Sequence, residues 1–493
     1  MDISYKSTRS DKYTVTASEA ILQGLAPDGG LFVPSHFPVI QKSLRELSGL
    51  TYKELALEIL SMYLTDYTEE ELQRCIDGAY DDKFDTDEIA PLKKAGDAWF
   101  LELFHGPTIA FKDMALSILP YLMTEAARKN GVDKETVILT ATSGDTGKAA
   151  LAGFAGVKGT RIVVYYPKDG VSRIQERQMV TQTGENTCVI GIRGNFDDAQ
   201  NGVKKIFTDS GLKEELDRRG FALSSANSIN VGRLVPQVVY YVHAYCTLLR
   251  NGSIADGEKI NFVVPTGNFG NILAAFLAMK AGVPVGKLIC ASNTNKVLYD
   301  FFCTGEYDRN REFVLTSSPS LDILISSNLE RLIYHICGQD PDRTAGLMRS
   351  LSSDGRYEIT PEMKEQLDAF YAGFATEEDT AAAIRDYYER EGYVIDPHTA
   401  VAASVYAGYR DRTGDNTKTV IASTASPFKF ETSVLKALSM PADKDDLELA
   451  EDLSKVAKVK VPEAVLSLKN APVRHTTVCS ADEMKDALLD FLK

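Results

Sequence analysis

Lys112 closes the stretch Glu102-Leu103-Phe104-His105-Gly106-Pro107-Thr108-Ile109-Ala110-Phe111-Lys112 and is followed by Asp113. Gly106-Pro107-Thr108 marks a turn. The spacing of Met114, Leu116, Ile118 and Leu119 predicts a helix after it, broken at Pro120. An amine at a turn-to-helix junction, beside Phe111, is open to partial desolvation. Desolvation disfavours the ammonium form, lowers its pKa and leaves a nucleophile, as a Schiff-base lysine requires. Taken by itself, such a position reads more often as a solvated surface lysine. Two distant stretches weigh against that. Thr142-Ser143-Gly144-Asp145-Thr146-Gly147 follows the apolar run Val137-Ile138-Leu139, and Pro265-Thr266-Gly267-Asn268-Phe269-Gly270-Asn271 follows Phe262-Val263-Val264. Each reads as a strand, a small polar loop and an apolar helix, which offers backbone N–H groups and a helix N-terminus to an anion. The Gly147-Lys148 pair is of the nucleotide-binding type. A P-loop, however, needs glycine where Thr142 stands and Ser or Thr where Ala149 stands, so nucleotide binding is set aside. A third polar run, Ser225, Asn227, Ser228, Asn230 and Arg233, gathers donors around one guanidinium suited to phosphate. It reads otherwise as a turn with capping residues.

These stretches, in this order, resemble the threonine synthases, pyridoxal-phosphate (PLP) enzymes of the tryptophan synthase β-like group. The resemblance extends to Gly24-Leu25-Ala26-Pro27-Asp28-Gly29-Gly30-Leu31-Phe32-Val33-Pro34, to Ser318-Pro319-Ser320-Leu321-Asp322-Ile323 and to Ala422-Ser423-Thr424-Ala425-Ser426-Pro427-Phe428-Lys429-Phe430. It implies a fold type II PLP enzyme of α/β class, with two parallel-sheet domains, a small N-terminal domain and a C-terminal extension. Lys112 then resembles the lysine that holds PLP as an imine. Gly267, Asn268, Phe269, Gly270 and Asn271 resemble the cradle of the cofactor phosphate, and Thr424 the hydroxyl that meets the pyridine nitrogen. Thr142, Ser143, Gly144, Asp145 and Thr146 resemble the grip on the substrate α-carboxylate. Part of the run Ser225, Asn227, Ser228, Asn230 and Arg233 is similar to the family's site for the substrate's own phosphate. Relatives often carry histidine where Ser426 stands, so no role of that histidine transfers. His105 reads as a packed neighbour rather than a base. The implied reaction converts O-phospho-L-homoserine and water to L-threonine and phosphate by γ-elimination and β-addition, the last step of threonine biosynthesis. The alternative is a PLP-dependent serine/threonine deaminase or amino-acid phospholyase. Deaminases lack the block at 24–34.

The elements that must position these residues alternate. Strand candidates are Val137–Leu139, Arg161–Tyr166, Thr187–Ile192, Asn261–Val264, Leu288–Ala291 and Lys418–Ser423. Between them lie helical patterns at Gly147–Phe154, Ile174–Thr181, Asp197–Phe207, Val235–Leu249, Ile272–Met279 and Tyr406–Asp415. Short continuous apolar strands alternating with helices predict parallel sheets covered on both faces. Thr51 with Glu54, and Thr68 with Glu71, read as capping boxes in a small domain over 1–95. The acidic stretch Asp81–Glu88 reads as an exposed link to a catalytic region over 96–440. Residues 306–395 read as mostly helical. The extension over 441–493 carries short helices at Pro462–Leu468 and Ala481–Leu492.

At 493 residues the chain exceeds one hydrophobic core. A formal net charge of −15 argues against nucleic-acid binding, because phosphates are repelled. A cleft can still oppose that sign locally. The seven cysteines show no CxxC pair or metal-ligand spacing, so neither a metal site nor a disulfide frame is expected. No signal core and no bilayer-length apolar run is found, and a cytoplasmic enzyme, monomer or homodimer, with no membrane partner is expected.

Overall fold

The computed structural model describes residues 2–142, 144–171 and 173–493. Two sheets organise the chain. The larger has six strands in the order Phe370–Phe374, Val285–Ser292, Ile260–Pro265, Thr419–Ser423, Ala98–Glu102, Leu92–Ala95. All neighbours are parallel except the last pair, an antiparallel hairpin that closes one edge. The smaller sheet has five strands, all parallel, in the order Val478–Ser480, Thr187–Arg193, Thr160–Pro167, Glu135–Ala141, Phe221–Ser224.

The period-2 geometry of a strand sends successive side chains to opposite faces. Phe262, Val264, Leu288 and Val420 enter one core, while Val263, Ile289, Ile421 and Phe100 enter a second, on the other side of the large sheet. The small sheet divides likewise. Ile138, Ile162 and Val164 join the first core, and Val137, Leu139, Val163 and Ile190 form a third. The first core is therefore shared by both sheets. Through it runs the helix Pro236–Arg250, buried at every position but its last. A helix apolar on all sides is stable only inside.

Both capping boxes form. Thr51 and Thr68 accept from the N–H groups of Glu54 and Glu71, opening Tyr52–Tyr63 and Glu69–Ala79. The acidic stretch is not a free link. The Asp85 N–H donates to the His105 carbonyl at 3.0 Å, and its carboxylate meets the His105 ring at 2.5 Å. Pro120 does not break a helix either. Asp113–Leu116 ends on its own, and Pro120 opens Leu119–Lys129 from the first turn, where its missing N–H costs nothing. Within 306–395 the strand Phe370–Phe374 pairs with Val285–Ser292, so that region also supplies a sheet edge. The C-terminal stretch is knitted in as well. Its helix Asp446–Ala457 packs on the large sheet's outer core, and Val478–Ser480 completes the small sheet.

Candidate active site

The two sheets point their strand ends at Lys112. Ser423 and Thr424 leave the large sheet, and the Thr424 carbonyl accepts from the Phe111 N–H at 2.8 Å. Ala110 and Ala425 form an antiparallel bridge, and the Ser426 N–H donates to the Ile109 carbonyl at 3.0 Å. The lysine loop is thus sewn to the end of a central strand. Ile109 takes φ 52°, a left-handed conformation that a β-branched residue adopts only under constraint. The flanking bonds and its burial supply that constraint. Asp113 holds the turn from the other side, accepting from the Thr108 N–H and hydroxyl at 2.8 and 2.6 Å.

The Lys112 side chain is 11% exposed. Its Nζ lies 3.1 Å from Ser320 Oγ and 3.6 Å from Asp145 Oδ2. Burial depresses its pKa. Asp145 opposes that shift, while Lys429 and Arg233 deepen it. Asp145 is the counter-charge of the site. Burial would raise its carboxyl, but Lys429 and Lys112 outweigh burial and hold it below the usual carboxylate range. Lys429, fully buried, reaches Asp145 Oδ1 at 3.0 Å and donates to the Thr108 carbonyl at 2.9 Å. Gln175 Nε2 donates to the same carboxylate oxygen at 3.0 Å.

The loop at 142–147 is wound tightly. The Thr142 hydroxyl accepts from the Gly144 and Gly147 N–H groups at 3.0 and 2.9 Å. Gly144 has φ 138°, and a Cβ there would strike the Gln175 amide. Among the described residues, no acceptor faces the N–H groups of Asp145 and Thr146 at the N-terminus of Asp145–Phe154, and the Asp145 carboxylate is turned aside to the lysines. Ser143 lies outside the described residues.

The loop at 267–271 is prepared for an anion. Helix Gly270–Lys280 begins there with no side-chain cap. Among the described residues, no acceptor faces the N–H groups of Gly267, Asn268, Phe269, Gly270 or Asn271. The loop's shape is imposed from outside. The Asn268 carbonyl accepts from the Asn328 N–H and Nδ2, both at 3.0 Å, and the Gly267 carbonyl accepts from Ser326 Oγ at 2.7 Å. Phe269 is left-handed at φ 64°. The Asn271 Oδ1 accepts from Tyr240 and Tyr241, while its buried Nδ2 has no partner. A row of unsatisfied donors on a helix N-terminus fits the phosphate of PLP.

The polar run splits by role. Asn230 caps Val231–Leu234 with its Oδ1, and its Nδ2 donates to the Ile21 carbonyl at 2.9 Å, so both ends of its amide are engaged by the protein. Ser225 Oγ accepts from the Asn227 N–H. Arg233 is different. Its Nη1 donates to the Ala226 carbonyl at 3.0 Å, its buried Nε has no partner, and burial pushes its pKa down to about 10. A buried guanidinium with a spare donor fits an anion. Lys112, Lys429 and Arg233 thus make the cleft positive inside a strongly acidic chain.

Four residues that sequence reasoning did not assign to the site are Ser320, His398, Asp396 and Lys429. His398 Nε2 accepts the Ser320 N–H at 3.1 Å, and its Nδ1 faces Asp396 Oδ2 at 2.7 Å. Lys429 sits two residues after Pro427. Asp396-Pro397 signals a helix start, and Asp396 does cap Pro397–Thr413. No local pattern marks any of the four as neighbours of Lys112.

Three family models match in chain order. They are the threonine synthase N terminus at residues 4–80, the pyridoxal-phosphate dependent enzyme model at 88–425 and the threonine synthase C-terminal model at 399–486. The threonine synthase-like 1 of Homo sapiens is 41% identical over 437 residues. That match covers 86% of this chain, but the chain spans only 58% of that relative's length. The threonine synthase of Schizosaccharomyces pombe is 36% identical, with 90% of each chain covered. The crystal structure of PLP-bound threonine synthase from Brucella melitensis superposes with a TM-score of 0.86 at 34% identity, covering 100% of both chains. By these matches over nearly its whole length, this chain belongs to the threonine synthase family of pyridoxal-phosphate dependent enzymes.

Proposed function

We propose that the protein is a threonine synthase, converting O-phospho-L-homoserine and water to L-threonine and phosphate. The observation that carries this reading is the gathering of three candidate anion stations about one buried amine: Asp145 and Arg233 act on the Lys112 charge, and Gly267 packs on Ser320, the amine's hydrogen-bond partner. The 267–271 loop fits the PLP phosphate, the Asp145 and Thr146 N–H groups a carboxylate, and Arg233 a second phosphate. Bound PLP supplies a ring that spreads the negative charge developed at the substrate's Cα and Cβ. Lys112, its ammonium form disfavoured by burial, takes the proton from Cα and then moves protons at Cβ and Cγ. Arg233 holds the phosphate as it leaves Cγ, so that two phosphates coexist without unscreened repulsion. Asp145 and Lys429 keep the lysine's charge balanced, and the Thr424 hydroxyl, without a protein partner among the described residues, is free to meet the pyridine nitrogen. The proposed division is an N-terminal domain at 1–95, the catalytic region at 96–440 and an extension at 441–493, in a cytoplasmic enzyme.

Incubation of PLP-loaded protein with phosphohomoserine tests this. Threonine and phosphate in equal amounts are expected. Phosphate with ammonia and 2-oxobutyrate would show a phospholyase instead. Borohydride reduction should leave the pyridoxyl group on Lys112, and label on another lysine would defeat the assignment.

A further inference from the structure

Ser320 is where the parts of the site meet. Its N–H donates to His398 Nε2 at 3.1 Å, which fixes the ring tautomer, because that nitrogen must carry a lone pair. The other ring nitrogen then carries the hydrogen and donates to Asp396 Oδ2 at 2.7 Å. Asp396 is fully buried and is itself held by the Thr399 N–H and hydroxyl. The Ser320 carbonyl lies against Gly267, where an added Cβ would come within 2.4 Å of it. That leaves the hydroxyl, which sits 3.1 Å from Lys112 Nζ and donates to Asp145 Oδ2 at 3.3 Å. Backbone on both sides of this serine is fixed, and only Oγ faces the amine.

We propose that Ser320 is the positioning residue of Lys112. Its hydroxyl holds the amine in place whenever that amine is not covalently engaged, and the Asp396–His398 pair holds Ser320. The geometry suits this because a four-carbon lysine stem is floppy, and the freed amine must stay aimed at the substrate's Cα and Cβ rather than collapse onto Asp145. The claim rests on the proposed role of Lys112 for its catalytic consequence, but not for the contact itself.

The test uses Ser320→Ala and Ser320→Thr. In the protein freed of PLP, trace acetic anhydride at pH 7 with peptide mass spectrometry reads Lys112 reactivity against the other lysines. Loss of one hydrogen bond to the ammonium should raise Lys112 acetylation about fivefold in Ser320→Ala, with Ser320→Thr near wild type. In the loaded enzyme, Ser320→Ala should lower kcat about fivefold or more, with KM and the borohydride-trapped pyridoxyl content unchanged. Unchanged Lys112 acetylation in Ser320→Ala overturns the proposal. A wild type that traps pyridoxyl on another lysine would instead overturn the reading of Lys112, while the acetylation ratio still decides Ser320.

Discussion

Gly267 and Gly270 stand three residues apart in one loop, yet they answer to different demands. A Cβ at Gly267 would meet the Ser320 carbonyl at 2.4 Å, whereas at Gly270 its nearest protein neighbour is the Asn328 amide at 3.5 Å. Gly267→Ala should therefore lower thermal stability and PLP content together. Gly270→Ala should leave the melting temperature near wild type, and any loss should appear only in the PLP dissociation constant. Equal melting temperatures for the two variants would contradict the packing. Arg233 belongs to the same scale. Its Nε is buried and unpartnered, and in the proposed reaction its charge meets the substrate's phosphate. Arg233→Ala should weaken phosphohomoserine binding by about 2–5 kcal/mol, as when a buried charge pair is broken. The PLP spectrum should persist, and inhibition by free phosphate should weaken in parallel. Normal phosphohomoserine binding by the variant would remove Arg233 from the site. In the sequence, Arg233 stood out as the one guanidinium of its polar run, but Asn230 was grouped with it as a further phosphate donor. Only the fold shows that Asn230 spends its amide on the Ile21 carbonyl, a partner 209 residues away.

At the scale of elements, apart from Ala98–Glu102 and Phe221–Ser224, the strands and helices around the cleft were legible because each is a continuous apolar run or a strongly periodic one. Phe370–Phe374 was not. Its Tyr-Ala-Gly centre lacks an apolar run, and its identity comes from the register it finds beside Val285–Ser292. The docking of Asp85 on His105 was hidden for a similar reason, since nothing in eight mostly acidic residues says which one meets a ring. That contact carries a pH signature. Burial lowers the His105 pKa, but Asp85 and Glu102 outweigh it and raise it to about 9. A raised folded-state value means that the stabilisation is complete below the unfolded value of about 6.5 and is lost as pH rises through 9. Thermal melts from pH 6 to 10 should show the wild type losing stability toward the alkaline end. His105→Gln should start lower and change less over that interval. Parallel slopes for both proteins would assign the loss to other groups.

For the whole molecule, one core serves two sheets, so the cleft between them is floored by common packing. The small sheet also depends on residues distant in sequence. Leu488, fully buried, and Cys479 pack with Ile190, Ile192 and Val203, and the Tyr165 hydroxyl donates to the Met484 carbonyl at 3.0 Å. Leu488→Ala should cost about 2–5 kcal/mol in denaturant unfolding. PLP occupancy of the folded fraction should be unchanged, because no cradle or lysine contact passes through that helix. Strand Val478–Ser480 also bears on how the chain leaves the ribosome. Its partner Thr187–Arg193 is made roughly 285 residues earlier. At about 5–20 residues per second, that edge stays bare for about 15–60 s of synthesis. During that interval the nascent chain exposes one open edge of Thr187–Arg193, whose other edge pairs with Thr160–Pro167, and that edge is free to pair with another chain. The yield of native protein should therefore depend on translation speed and on chaperones that cover strand edges, more than the stability of the finished enzyme would suggest.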